Sequence, residues 1–132
     1  MGYRSQVGFC LTAKGYELFQ KKLSTLDAEN TQAKEVRCLT THADNEVHDA
    51  ATGAHLWFWS WLKWYSEYKE VAFFEEVMAA LDSEEYSFVR VGESDDDCEV
   101  SGSFWDNPFD MCLSRDIDFD IPQAAPEKQQ VA

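Results

Sequence analysis

Apolar and polar positions along this chain follow two periods in turn, and the changes of period predict its elements. YRSQVGFCLT, Tyr3 to Thr12, sets Val7, Phe9 and Leu11 against Arg4, Gln6 and Gly8, the pattern of a half-buried strand. From about Lys14 the spacing becomes helical, with Tyr16, Phe19, Leu23 and Leu26 on one stripe. VRCLTT (36–41) and NEVHDAAT (45–52) read as a hairpin. HLWFWSWLKWY (55–65) reads as a strand, and a helix is expected from about Tyr68 to Leu81 with Val71, Phe74, Met78 and Leu81 inward. YSFVRVGE (86–93) and CEVSGSFW (98–105) read as a second hairpin around an acidic turn. A last strand is expected over 109–121, where Met111, Leu113, Ile117 and Phe119 alternate with Ser, Arg and Asp. PQAAPEKQQVA, from Pro122 on, is small and polar and reads as a flexible tail.

These elements come in two similar runs. Gly15 to Asp27 aligns with Glu70 to Asp82, pairing Phe19 with Phe74, Leu26 with Leu81 and Asp27 with Asp82. Val36 to Val47 aligns with Val89 to Val100, pairing Arg37 with Arg90, Asp44 with Asp97 and Glu46 with Glu99. Two matches in the same order favour internal repeats over about 3–52 and 56–105, each strand, helix, strand, strand. The expected fold is a single α+β domain over 1–121, a two-layer sandwich in the order β-α-β-β-β-α-β-β-β. Its sheet is mostly antiparallel, with two helices on one face.

The repeat also assigns faces to the tryptophan-rich strand. Aligning Leu62 with Val7 and Trp64 with Phe9 makes these two the helix-facing positions. Alternation then puts Trp57, Trp59 and Trp61 on the sheet face away from the helices. Soluble chains seldom leave a contiguous aromatic patch uncovered. Three covers are open: another part of this chain, a second copy in a homodimer, or a different protein partner anchored on the rings.

Charge sharpens the picture. The net charge of −14 lies wholly in the second half: residues 1–64 hold seven Lys/Arg and seven Asp/Glu, residues 65–132 four and eighteen. Such a field repels nucleic acid and anionic membrane and attracts basic protein surfaces. Glu93, Asp95, Asp96, Asp97 and Glu99 crowd the second hairpin turn, either as a solvated turn or as a docking surface. Asp116, Asp118 and Asp120 alternate along the last expected strand, on one face at roughly 6.6–6.8 Å intervals, close to phosphate spacing. A row of this kind imitates a nucleic-acid backbone. The turn lacks the calcium-loop pattern with its sixth-position glycine.

Catalytic and metal chemistry finds little purchase. His42, Asp44, Glu46, His48, Asp49 and His55 cluster in sequence, but a turn expected at about 41–45 scatters them, so they read as surface polar groups and no metal is expected. Cys10, Cys38, Cys98 and Cys112 form no close pair and read as reduced, mostly buried thiols. No phosphate loop, nucleophile elbow or zinc-protease motif is present, so neither a cofactor nor an enzymatic activity is expected. No apolar run reaches the ~20 residues of a membrane span, and MGYRSQVGFC lacks the layout of a signal peptide, so a cytoplasmic location is expected.

The opening MGYRS-x-V, Met1 to Val7, with the small acidic α+β layout, resembles short proteins carried by phages and prophages. That resemblance implies an inhibitor of a host defence or nucleic-acid enzyme, in some cases a DNA mimic, and transfers no functional residue. The expectation is therefore a non-enzymatic acidic protein that binds a basic, nucleic-acid-binding partner. The alternatives are a homodimer with an aromatic self-interface and a small-ligand binder or enzyme.

Overall fold

The computed structural model describes residues 2–27, 29–94 and 96–114. Its elements run β1 (Ser5–Leu11), α1 (Ala13–Ser24), α2 (Thr31–Thr41), β2 (Asn45–His48), β3 (His55–Leu62), α3 (Lys69–Ala80), a 3-10 turn (Ser83–Glu85), β4 (Tyr86–Val91) and β5 (Cys98–Gly102). The five strands form one sheet in the order β2-β3-β1-β4-β5, antiparallel throughout, so the chain is α+β.

Local chemistry starts the helices. The Thr12 hydroxyl caps α1 by accepting from the Gly15 amide at 3.1 Å, and the Asn30 side chain caps α2 by accepting from the Ala33 amide at 3.0 Å. Helix α2 replaces the first strand of the expected hairpin. Ala33, Val36 and Leu39, three apart, form its buried stripe, and helical spacing from a capped start overrides the strand-like look of VRCLTT. The first run is thus strand, helix, helix, strand, and its second half departs from the expected repeat. Among the described residues the helices thus number three rather than the expected two.

All three helices pack against one sheet face. Phe9 of β1 lies opposite Trp57 of β3 and Phe88 of β4, so these rings share that face. Phe74 of α3 meets Phe9 edge-on at 5.3 Å. Phe19 of α1 packs on Trp57 at 4.8 Å. The Trp59 indole donates to the Leu39 carbonyl of α2 at 3.0 Å.

Trp57 and Trp59 are therefore core residues, 2% and 3% exposed, and not the outward patch expected from alternation. The reason is a β-bulge. Trp59 pairs with Val7 but Leu62 pairs with Ser5, so three steps along β3 match two along β1. Parity resets between them, and Leu62 and Trp64 face the core together with Trp57 and Trp59. Of the three tryptophans expected outside, Trp61, 62% exposed at the bulge, is the one that stays there.

The opposite sheet face carries Val47, Leu56, Phe58, Val89 and Val100, paired across the strands through Gly8 and Cys10. Met111 lies over Gly8, where a Cβ would meet its sulfur at 2.9 Å. Asn107 folds this segment: its carbonyl accepts from the Phe109 and Met111 amides, and its amide donates to the Phe104 carbonyl. With Asp110 in the left-handed region at φ 56°, residues 109–114 carry no strand, contrary to expectation, and 115–121 lie outside the described residues. Of the four cysteines only Cys10 is buried, and burial pushes its thiol up to about 12. No helix among the described residues is long and apolar enough to cross a membrane.

The two adjacent indoles should respond oppositely to truncation. Trp59→Ala is expected to cost ~3–5 kcal/mol in denaturant unfolding, as for a buried ring. Trp61→Ala should stay within about 0.5 kcal/mol.

Candidate partner-binding groove and the histidine pair

Arg90 organises the acidic hairpin. It stands on β4 directly opposite Glu99 of β5 and faces the helix side of the sheet. Its Nε donates to Glu99 at 2.5 Å, Nη2 donates to Asp97 Oδ1 at 2.6 Å, and Nη1 donates to Asp97 Oδ2 at 3.2 Å and to the Ser5 hydroxyl at 2.9 Å. Asp97 also accepts from the Tyr3 hydroxyl at 2.5 Å, and Glu93 accepts from the Arg4 amide at 2.5 Å. The turn is thereby lashed to the N-terminal strand. A Cβ at Gly92 would crowd the Asp97 carboxylate and the Tyr3 hydroxyl and push that hydrogen-bonded pair aside.

The charges shift one another as this geometry demands. Hydrogen bonding to Asp97 raises the Arg90 pKa still further above its already high range. Donation by Arg90, and next by Tyr3, holds the Asp97 carboxyl below the usual carboxylate range. Of the acidic residues expected to bind a partner, Glu93, Asp97 and Glu99 thus hold the hairpin together, and Asp96 is exposed. Asp95, Asp116, Asp118 and Asp120 lie outside the described residues.

Between this hairpin and α3 lies a groove of about 330 Å³. Trp64, Met78 and Phe88 give it apolar walls, and Glu75, Arg90 and Glu99 line it with charge. Sequence reasoning found the acidic turn through its charge. It missed Glu75 and Trp64, which reach the groove from elements that only the fold brings together.

The histidine-rich cluster resolves differently. His42 Nδ1 donates to the Cys38 carbonyl at 2.7 Å, Asp44 accepts from the Ser60 amide at 2.7 Å, and Asp49 accepts from the Thr52 amide at 3.2 Å. Glu46, His48 and His55 do converge, because the β2–β3 turn falls at 49–54 and makes His48 and His55 cross-strand partners. The signal was Asp49 with Gly53, a turn pair whose glycine takes φ 81°. His55 Nε2 donates to Glu46 at 2.8 Å, the Trp57 indole donates to the same oxygen at 3.1 Å, and the two Nδ1 atoms stand 3.0 Å apart. Tyr16 stacks on His55 at 4.1 Å and 8°. Among the described residues no group of three or more His, Cys, Asp or Glu is arranged to hold a metal ion.

Comparison with family models, with curated proteins and with solved structures finds no match.

Asp97 supplies the prediction here. Its folded carboxyl holds its proton less tightly than the unfolded one, so its contribution is present above about pH 4 and is lost as pH falls through the folded value. In an acid titration followed by circular dichroism, Asp97→Asn should lose stability near neutral pH and flatten the acid decline. Asp96→Asn, at an exposed turn position, should keep its stability near neutral pH.

Proposed function

We propose that this chain is a non-enzymatic interaction protein whose acidic groove receives a basic protein surface of the kind that nucleic-acid-binding proteins present, blocking it. The observation that carries this reading is the charge state of the groove. Among the described residues its one lining cation, Arg90, is engaged by Asp97, Glu99 and Ser5, and Glu75 lines the same groove with no ion-pair partner beside the apolar Trp64, Met78 and Phe88. A cationic side chain with an aliphatic stem fits both halves of such a site, its head toward the carboxylates and its stem on Trp64 and Met78. The net −14 confined to residues 65–132 would steer a basic partner toward this end and keep nucleic acid away. The resemblance to small phage proteins points in the same direction.

A second reading has its own support. The helix-free sheet face leaves Val47 and Val100 more than two-fifths exposed, beside the half-buried Leu56 and Phe58. A homodimer joined through this face would cover them. Trp57 and Trp59 take no part in it.

The test is capture of partners by the tagged chain, followed by measured association with the retained protein. Binding should be competed by duplex DNA and fall steeply between low and about 0.5 M salt. Glu75→Lys should weaken it about tenfold, mainly through the on-rate, without loss of fold. A partner indifferent to salt, DNA and Glu75→Lys would overturn the groove. Retention of this chain alone, at dimer mass, would favour the second reading.

A further inference from the structure

A separate device sits at the other edge of the sheet. The charged and titratable groups found against His55 are Glu46 and His48 of β2 and Tyr16 of α1. A carboxylate only accepts, so His55 Nε2 carries a proton toward Glu46. In the neutral ring its Nδ1 is then a lone pair, and His48 Nδ1 must be the donor across the 3.0 Å contact. The pair has room for one proton between its facing nitrogens. A proton added to His55 Nδ1 is still accommodated while His48 carries its own on Nε2, but once both rings are cationic two N–H groups face each other inside a site where His55 is 4% exposed.

We propose that the His48–His55 pair is a proton-sensitive latch: a second proton between the facing Nδ1 atoms releases the four-residue edge strand β2 from β3 and uncovers Trp57. Strand β2 is fit for this role, since it lies at the sheet edge and all four of its residues are exposed. Glu46 joins the latch to the core, because one carboxylate oxygen accepts from both His55 and the Trp57 indole. Burial lowers the His55 pKa, against the pull of Glu46 and with help from His48. An opened strand returns His55 toward its ordinary value of roughly 6.5, so the open form takes up the proton first and gains as pH falls below that value.

The experiment follows backbone amides and indole N–H resonances of the whole chain by NMR from about pH 7.5 to about 5. Protection of the β2 amides should fall up to about tenfold per pH unit below the open-form value. The Trp57 indole should shift with them, while the Trp59 indole, bonded to Leu39 on α2, stays unmoved. His48→Gln offers an amide oxygen that can accept from a protonated His55, so this variant should keep β2 closed over the same range. The latch is overturned if β2 protection is independent of pH, if both indoles move at one midpoint, or if His48→Gln opens as the native chain does.

Discussion

The Phe74 ring sets the arrangement of the other elements. It lies within 5.3 to 6.4 Å of six other rings: Phe9, Phe19, Trp57, Trp59, Trp64 and Phe73. Those rings come from β1, α1, β3, α3 and the segment after β3. All six contacts are edge-on or tilted, the arrangement that aromatic quadrupoles favour. Fixing one ring therefore fixes where α3 sits on the sheet, and with it the wall of the groove that Glu75 and Met78 supply. Four of the residues in this cluster, Phe9, Trp57, Trp59 and Trp64, come from the first strand and the tryptophan-rich segment.

Much of this was legible along the chain. β1, α1, β3, α3 and the β4–β5 hairpin each showed a clean period, and each formed. Helix α2 did not announce itself, because Val36, Cys38 and Thr40 alternate as a strand would. Its signal was the Asn30 cap followed by Ala33, Val36 and Leu39. The faces of β3 were misassigned for a different reason. Leu62 and Trp64 were placed inward correctly, but alternation cannot be carried across an extra residue, and nothing in LWFWSWLKWY marks the bulge.

The functional residues show the same divide. Charge density pointed to the acidic turn, since charge is additive along a sequence. What each carboxylate does depends on register. Glu99 meets Arg90 because β4 and β5 pair at those two positions, and Tyr3 meets Asp97 across 94 residues of chain. The histidine pair likewise follows from register: the hairpin expected between 36–41 and 45–52 separates His48 from His55, whereas the observed pairing of β2 with β3 sets them opposite each other.

Both rims of the sheet are short. β2 has four residues and β5 five, whereas β3, just inside, has eight. Glu46 stands on one rim and Glu99 on the other. Brief, charged borders make poor templates for another backbone, one of the ways natural sheets avoid growing into continuous assemblies. The unusually aromatic interior is thereby bordered by strands poorly suited to extension by another backbone.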